Sequence, residues 1–138
     1  MQMDDFKVER LEKRIEVLSE WKSRMLELYG EELSPFDKWC LENELSREDQ
    51  HFITNLSLLF SIHLHPEPDN SEVRNILHNT KAYFNVDHIE LTFEEFDRFI
   101  KEYQRKEKPI FYWDTRELLE KLAQSNRSVQ LKEWLIGQ

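Results

Sequence analysis

VERLEKRIEVLSEWKSRMLELY, residues 8–29, is the most regular stretch of this chain, and its apolar side chains return every three or four positions. Written as a heptad repeat, it has two seam positions in every seven residues, and six of its seven seam residues are apolar. The seam residues that we predict to form an oligomer interface are Val8, Leu11, Ile15, Leu18, Lys22 and Met25. A seam of this width is typical of a helix that pairs with one like helix.

The same stretch also has a feature of a helix that lies on its own bundle. Trp21 and Leu28 widen the apolar stripe on one side, and a wide stripe is typical of packing within one chain. A helix of about 33 Å, at 1.5 Å per residue, would be longer than the other helices that the sequence predicts. The pattern leaves both arrangements open and favours a homo-oligomer, either a dimer or a trimer. Lys22 does not exclude pairing, because a charged seam residue can fix the register at a cost in stability.

Length and composition indicate the fold class. The chain has 138 residues, of which only 2 are Gly and 4 are Pro, while 39% are hydrophobic and 34% are charged. Because Gly and Pro mark turns, and a β protein needs many turns, this composition favours helices. We predict one all-α domain over residues 1–138, a helical bundle of about six or seven helices, with a long N-terminal helix in residues 1–30.

Capping residues divide the rest of the chain into the shorter helices. Each is a Ser, Thr or Asp that precedes an apolar run spaced as on a helix, and these residues are Ser34, Ser46, Ser71, Thr92 and Asp114 or Thr115. Glu95 completes a capping box with Thr92. The prolines of residues 65–70 interrupt the chain between two helices. Residues 88–92 could add one short strand at most.

Charge and cysteine content bear on the compartment and on partners. The single cysteine, Cys40, cannot form a disulfide within the chain, and we expect a small buried side chain there, as in a protein of the reducing cytoplasm. Neither a signal peptide nor a membrane-spanning stretch is predicted. The acidic net charge of −9 disfavours general binding to nucleic acids and to anionic membranes.

One local cluster has metal-ligand side chains, namely His63, His65, Glu67 and Asp69. Two imidazoles at this spacing reach one ion only if the backbone between them is extended. A metal-dependent enzyme built on His63 and His65 is therefore one alternative function. The other interpretation is that His63 ends the apolar face of its helix, and no catalytic residue, metal ligand or cofactor is predicted.

A basic and aromatic stretch, residues 101–113, supports a second alternative. Lys101, Arg105, Lys106 and Lys108 precede an aromatic run, an arrangement that can hold single-stranded nucleic acid. The stretch is also explained by cations at the C-terminus of a helix, followed by the PIFYW segment packing in the core. A nucleic-acid-binding regulator is the corresponding hypothesis.

The order of motifs resembles one known family. RLEKRIEVL opens the chain, LTFEEFDRFI lies later, and DTRELLEKLAQSNRSVQLKEWLI closes it. These motifs resemble the YhaI-like family of small helical bacillus proteins of unknown function, whereas the middle of the chain departs from that pattern. The resemblance implies an all-helical protein of a Gram-positive cytoplasm and carries over no catalytic residue. We predict a non-enzymatic, self-associating module for protein–protein interaction.

Overall fold

The computed structural model describes residues 2–64 and 71–137, and these residues form seven α-helices and no strand. The all-α prediction and the long N-terminal helix are therefore confirmed. The helices are α1 (Gln2–Tyr29), α2 (Pro35–Glu42), α3 (Arg47–Leu64), α4 (Ser71–Phe84), α5 (Phe93–Glu107), α6 (Thr115–Gln124) and α7 (Val129–Ile136). The predicted interruption at residues 65–70 lies outside the described residues.

The predicted caps set the starts of several helices. The Ser34 hydroxyl accepts a hydrogen bond from the backbone N–H of Asp37 at 3.1 Å, with Pro35 in the first helical position. Thr92 accepts from the N–H of Glu95 at 3.1 Å. These bonds satisfy N–H groups that have no partner inside a helix.

The α3 helix begins with a reciprocal cap. Ser46 accepts from the N–H of Asp49 at 3.0 Å, and the Asp49 carboxylate accepts from the N–H of Ser46 at 2.9 Å. The second oxygen of Asp49 accepts from the Tyr103 hydroxyl at 2.7 Å, which ties the start of α3 to α5. Burial, and next the bond to Asp49, raise the pKa of Tyr103 above its usual range. The cap therefore also joins two helices of the core.

The core surrounds α3, which packs against α4, α5 and α7, while α6 packs against α2, α5 and α7. Phe60 lies at its centre with no exposed area, and its ring makes edge contacts with Phe96 and Phe99 at centroid distances of 5.0 and 5.9 Å. The largest fully buried side chains are Phe36, Ile53, Leu56, Leu59, Phe60, Phe96, Ile100, Leu118, Leu119, Leu122 and Leu131. All of these residues follow α1 in the chain.

We predict that Phe60→Ala lowers the free energy of unfolding by about 3–5 kcal/mol, because it empties a site that the surrounding rings cannot fill. Urea unfolding followed by circular dichroism measures the loss. Tyr112→Ala is the matched control, since the Tyr112 side chain is 69% exposed and its removal should change stability by less than about 0.5 kcal/mol. Equal losses in the two variants would contradict this assignment of the core.

Candidate interaction surface

The α1 helix leaves most of its apolar side chains uncovered. Nine of them keep between 47% and 63% of their area exposed: Phe6, Val8, Leu11, Ile15, Leu18, Trp21, Met25, Leu28 and Tyr29. Among the described side chains of α1, only Lys22 and Leu26 are half-buried, and Gly30 directly after the helix is buried. The helix thus contacts the rest of the chain near its C-terminal end and extends away from it over residues 5–18. Phe6 falls on the opposite face of the helix from the seam, and we call the other eight exposed residues the α1 stripe.

The α1 stripe changes width along the helix. In the N-terminal half the seam consists of Val8, Leu11, Ile15 and Leu18, which share one face because they recur at intervals of three and four. In the C-terminal half, Trp21 and Leu28 follow Leu18 and Met25 by three residues and so widen the same face. The stripe is narrow where the helix stands alone and wide where it meets α2.

A cleft lies between α1 and the start of the bundle. Its volume is about 420 Å³, and its lining residues are Leu18, Trp21, Lys22, Met25, Asp37, Cys40, Leu41, Glu44, Leu45 and Gln50. The first four belong to α1, and the others belong to α2, the following turn and α3. The cleft therefore joins the wide part of the α1 stripe to an apolar wall on α2, with Asp37 and Glu44 as negative charges.

Lys22, the charged residue of the seam, has partners inside its own chain. Its ammonium lies 3.3 Å from the carbonyl oxygen of Glu42 and 3.4 Å from a carboxylate oxygen of Glu44. A lysine near the C-terminus of α2 also complements the partial negative charge of that helix end. A charged residue in the seam is thus accommodated because the seam faces α2 at this point.

Cys40 lies on the wall of the cleft but is itself only 5% exposed. Burial, and next the negative charge of Asp37, raise the pKa of the Cys40 thiol from 9.0 to about 12. Because the thiolate is the reactive form, this thiol is a poor nucleophile at neutral pH. The location agrees with the expectation of a small buried side chain.

His63 lies in the last turn of α3. Its Nδ1 lies 2.9 Å from the carbonyl oxygen of Leu59, one turn earlier in the same helix. His65, Glu67 and Asp69 lie outside the described residues. Within residues 2–64 and 71–137, no group of three or more His, Cys, Asp or Glu side chains could hold a metal ion. A metal site at residues 63–69 stays an alternative hypothesis.

The basic and aromatic stretch is divided between core and surface. Trp113 is buried, but Ile110, Phe111 and Tyr112 are 71%, 48% and 69% exposed. The expectation that the whole PIFYW segment packs in the core was therefore wrong. The backbone between Glu107 and Asp114 is irregular, with bends at residues 110 and 111, and of these rings only that of Trp113 is buried. Nucleic-acid binding by this stretch stays an alternative hypothesis.

The sequence did not point to the α2 side of the cleft. Leu41 and Leu45 carry no distinctive motif, and their role depends on where α2 lies. One signal was available, since only residues 30–34 connect α1 to α2. A connection this short makes consecutive helices antiparallel neighbours.

Comparisons with protein-family models, with curated proteins and with solved structures gave no match to this chain. Membership of the YhaI-like family therefore stays a prediction. None of the helices formed by the described residues is both long enough and apolar enough to cross a membrane.

We predict that Cys40 makes the folding stability depend on pH at pH values above 9.0, the ordinary pKa of a thiol. The neutral thiol is favoured in the folded chain, so its contribution is complete below pH 9.0 and is lost as the pH rises toward about 12. Urea unfolding of the wild type and of Cys40→Ala, at about pH 8 and about pH 10.5, separates this loss from that of other groups. The wild type should lose more stability than the variant, and equal losses would contradict the assignment.

Proposed function

We propose that this chain is a non-enzymatic cytoplasmic protein that self-associates through α1 and serves as a module for protein–protein interaction. The single observation that carries the proposal is the α1 stripe, whose eight members are each about half exposed or more. The residues of the proposed interface are Val8, Leu11, Ile15, Leu18, Lys22 and Met25.

The stability of α1 supports a partner for this helix. Most helical stability in proteins comes from packing of an apolar face, and isolated helices of modest length are marginal in water. Residues 5–18 receive little such packing from their own chain, because their side chains are all exposed. Burying apolar area is worth roughly 25 cal/mol per Å², so a partner that covers this face stabilises the helix and itself.

The pattern of the stripe supports a second copy as that partner. Seam residues at two positions in every seven form the narrow face that one like helix covers. The same residues are then present on both sides of the interface, so each apolar side chain meets another apolar side chain. Contiguous exposed apolar patches of this kind mark interaction sites in soluble proteins.

Light scattering coupled to size-exclusion chromatography tests the proposal. We predict that the wild type has a mass above the 17.0 kDa of one chain, and that changing Leu11, Ile15 and Leu18 to Gln yields a monomer. These three side chains are 56%, 63% and 62% exposed, so the unfolding of the core should hardly change.

The matched control changes Glu9, Lys13 and Glu20 to Gln on the opposite face of the same helix. Both triple variants carry the same new side chain, which has good helix propensity. The control should keep the wild-type mass. A wild type with the mass of one chain at micromolar concentration would remove the proposal.

A further inference from the structure

We propose that two copies pair in parallel, and that Trp21 and Leu28 of each copy enter the α1–α2 cleft of the other. This inference rests on the proposed self-association and adds its orientation, its stoichiometry and the contribution of α2. The N-terminal halves of α1 would form a two-stranded coil. The C-terminal halves would form a four-helix arrangement with the α2 helices of both copies.

The residue types of the seam favour two parallel strands. The first seam position holds the β-branched residues Val8 and Ile15, and the second holds Leu11 and Leu18. In parallel coiled coils, a β-branched residue at the first position with Leu at the second favours two strands over three or four. All four residues are more than half exposed, so a second helix can reach each of them.

The charges beside the seam favour the parallel orientation. Lys7 and Arg14 lie on one flank, whereas Asp5 and Glu12 lie on the other. In a parallel pair, the basic flank of each helix faces the acidic flank of the other, and Lys7 stands opposite Glu12 of the second copy. In an antiparallel pair each flank faces a flank of its own kind, which brings like charges together or leaves them without partners.

The change in stripe width agrees with this orientation. A parallel pair places wide halves together and narrow halves together. In such a pair, the flank of one α1 that carries Trp21 and Leu28 turns toward the side of the other α1 on which α2 lies. The cleft there has a volume of about 420 Å³, and its walls include Leu41 and Leu45 as well as Trp21 of the same chain. The Trp21 ring of the second copy would therefore pack against an apolar surface that contains another indole ring.

Lys22 is compatible with the parallel pair because its positive charge is paired with Glu44 of its own chain. Identical seam residues face each other in a parallel pair, which would bring the two Lys22 side chains together. Each ammonium lies 3.4 Å from the carboxylate of Glu44 of its own chain and is only 27% exposed. The two-stranded seam therefore ends after Leu18, where α2 begins to cover the helix.

Disulfide cross-linking tests the orientation. Val8→Cys should form a disulfide-linked dimer under mild oxidation, because a parallel pair places the two copies of residue 8 within the Cα separation that a disulfide needs. The wild type supplies the background, since its single thiol, Cys40, is buried and should not cross-link. In an antiparallel pair, residue 8 would lie near residue 18 or 25 of the second copy. Mixtures of Val8→Cys with Leu18→Cys or with Met25→Cys test that alternative.

The outcomes separate this inference from the proposed function. A monomeric wild type removes both. A self-associating wild type whose Val8→Cys variant does not link to itself, or links preferentially to the Leu18→Cys or Met25→Cys variant, overturns the parallel orientation alone. A mass of three chains overturns the pairing of two copies.

Charge exchange gives a second readout. Lys7→Glu should weaken self-association about tenfold, because it places a like charge opposite Glu12 on both sides of the pair. Adding Glu12→Lys should restore association by returning opposite charges to the same positions. Analytical ultracentrifugation at low salt measures both variants. Loss of association without restoration in the double variant would overturn the pairing of these residues.

Trp21→Ala tests the contribution of the cleft. This variant should associate more weakly than the wild type, while the parallel cross-link at residue 8 still forms.

Discussion

Burial of the α3 face is the interaction on which the rest of this structure depends. The buried apolar side chains of the described chain lie between Phe36 and Leu131. Among them, the ring of Phe60 contacts the rings of Phe96 and Phe99 in α5, and Phe99 in turn contacts Phe84 in α4. The helices from α2 to α7 thus bury one another's apolar side chains. Because this core forms without any residue of α1, the apolar side chains of α1 are left for contacts outside the bundle.

The contacts between α1 and α2 determine which part of α1 can form such contacts. The side chains of Lys22 and Leu26 are half-buried, whereas those of residues 5–18, toward the N-terminus of α1, are all exposed. The ammonium of Lys22 contacts the end of α2 and so fixes the cleft beside Trp21 and Met25. An interface built here would combine the part of α1 that contacts α2 with a wall that belongs to the folded bundle. Such preorganisation lowers the entropic cost of association.

Sequence reasoning predicted the helices and their caps well because these depend on local chemistry. Ser34, Ser46, Thr92 and Asp114 each cap the helix expected of them, and the bonds connect residues only three positions apart. The exposure of α1 could not be predicted, since one apolar stripe serves equally for packing within a chain or between chains. The sequence also could not show that Trp113 is buried while Phe111 and Tyr112 are exposed, because this depends on the path of the backbone after α5.

Amide hydrogen exchange, measured at two protein concentrations, tests the central claim most directly. If a second copy covers α1, amides of residues 5–18 should be protected at high concentration and lose that protection on dilution, while those of residues 52–60 in α3 stay protected throughout. Protection of residues 5–18 that does not change with concentration, or no protection at any concentration, would contradict the account.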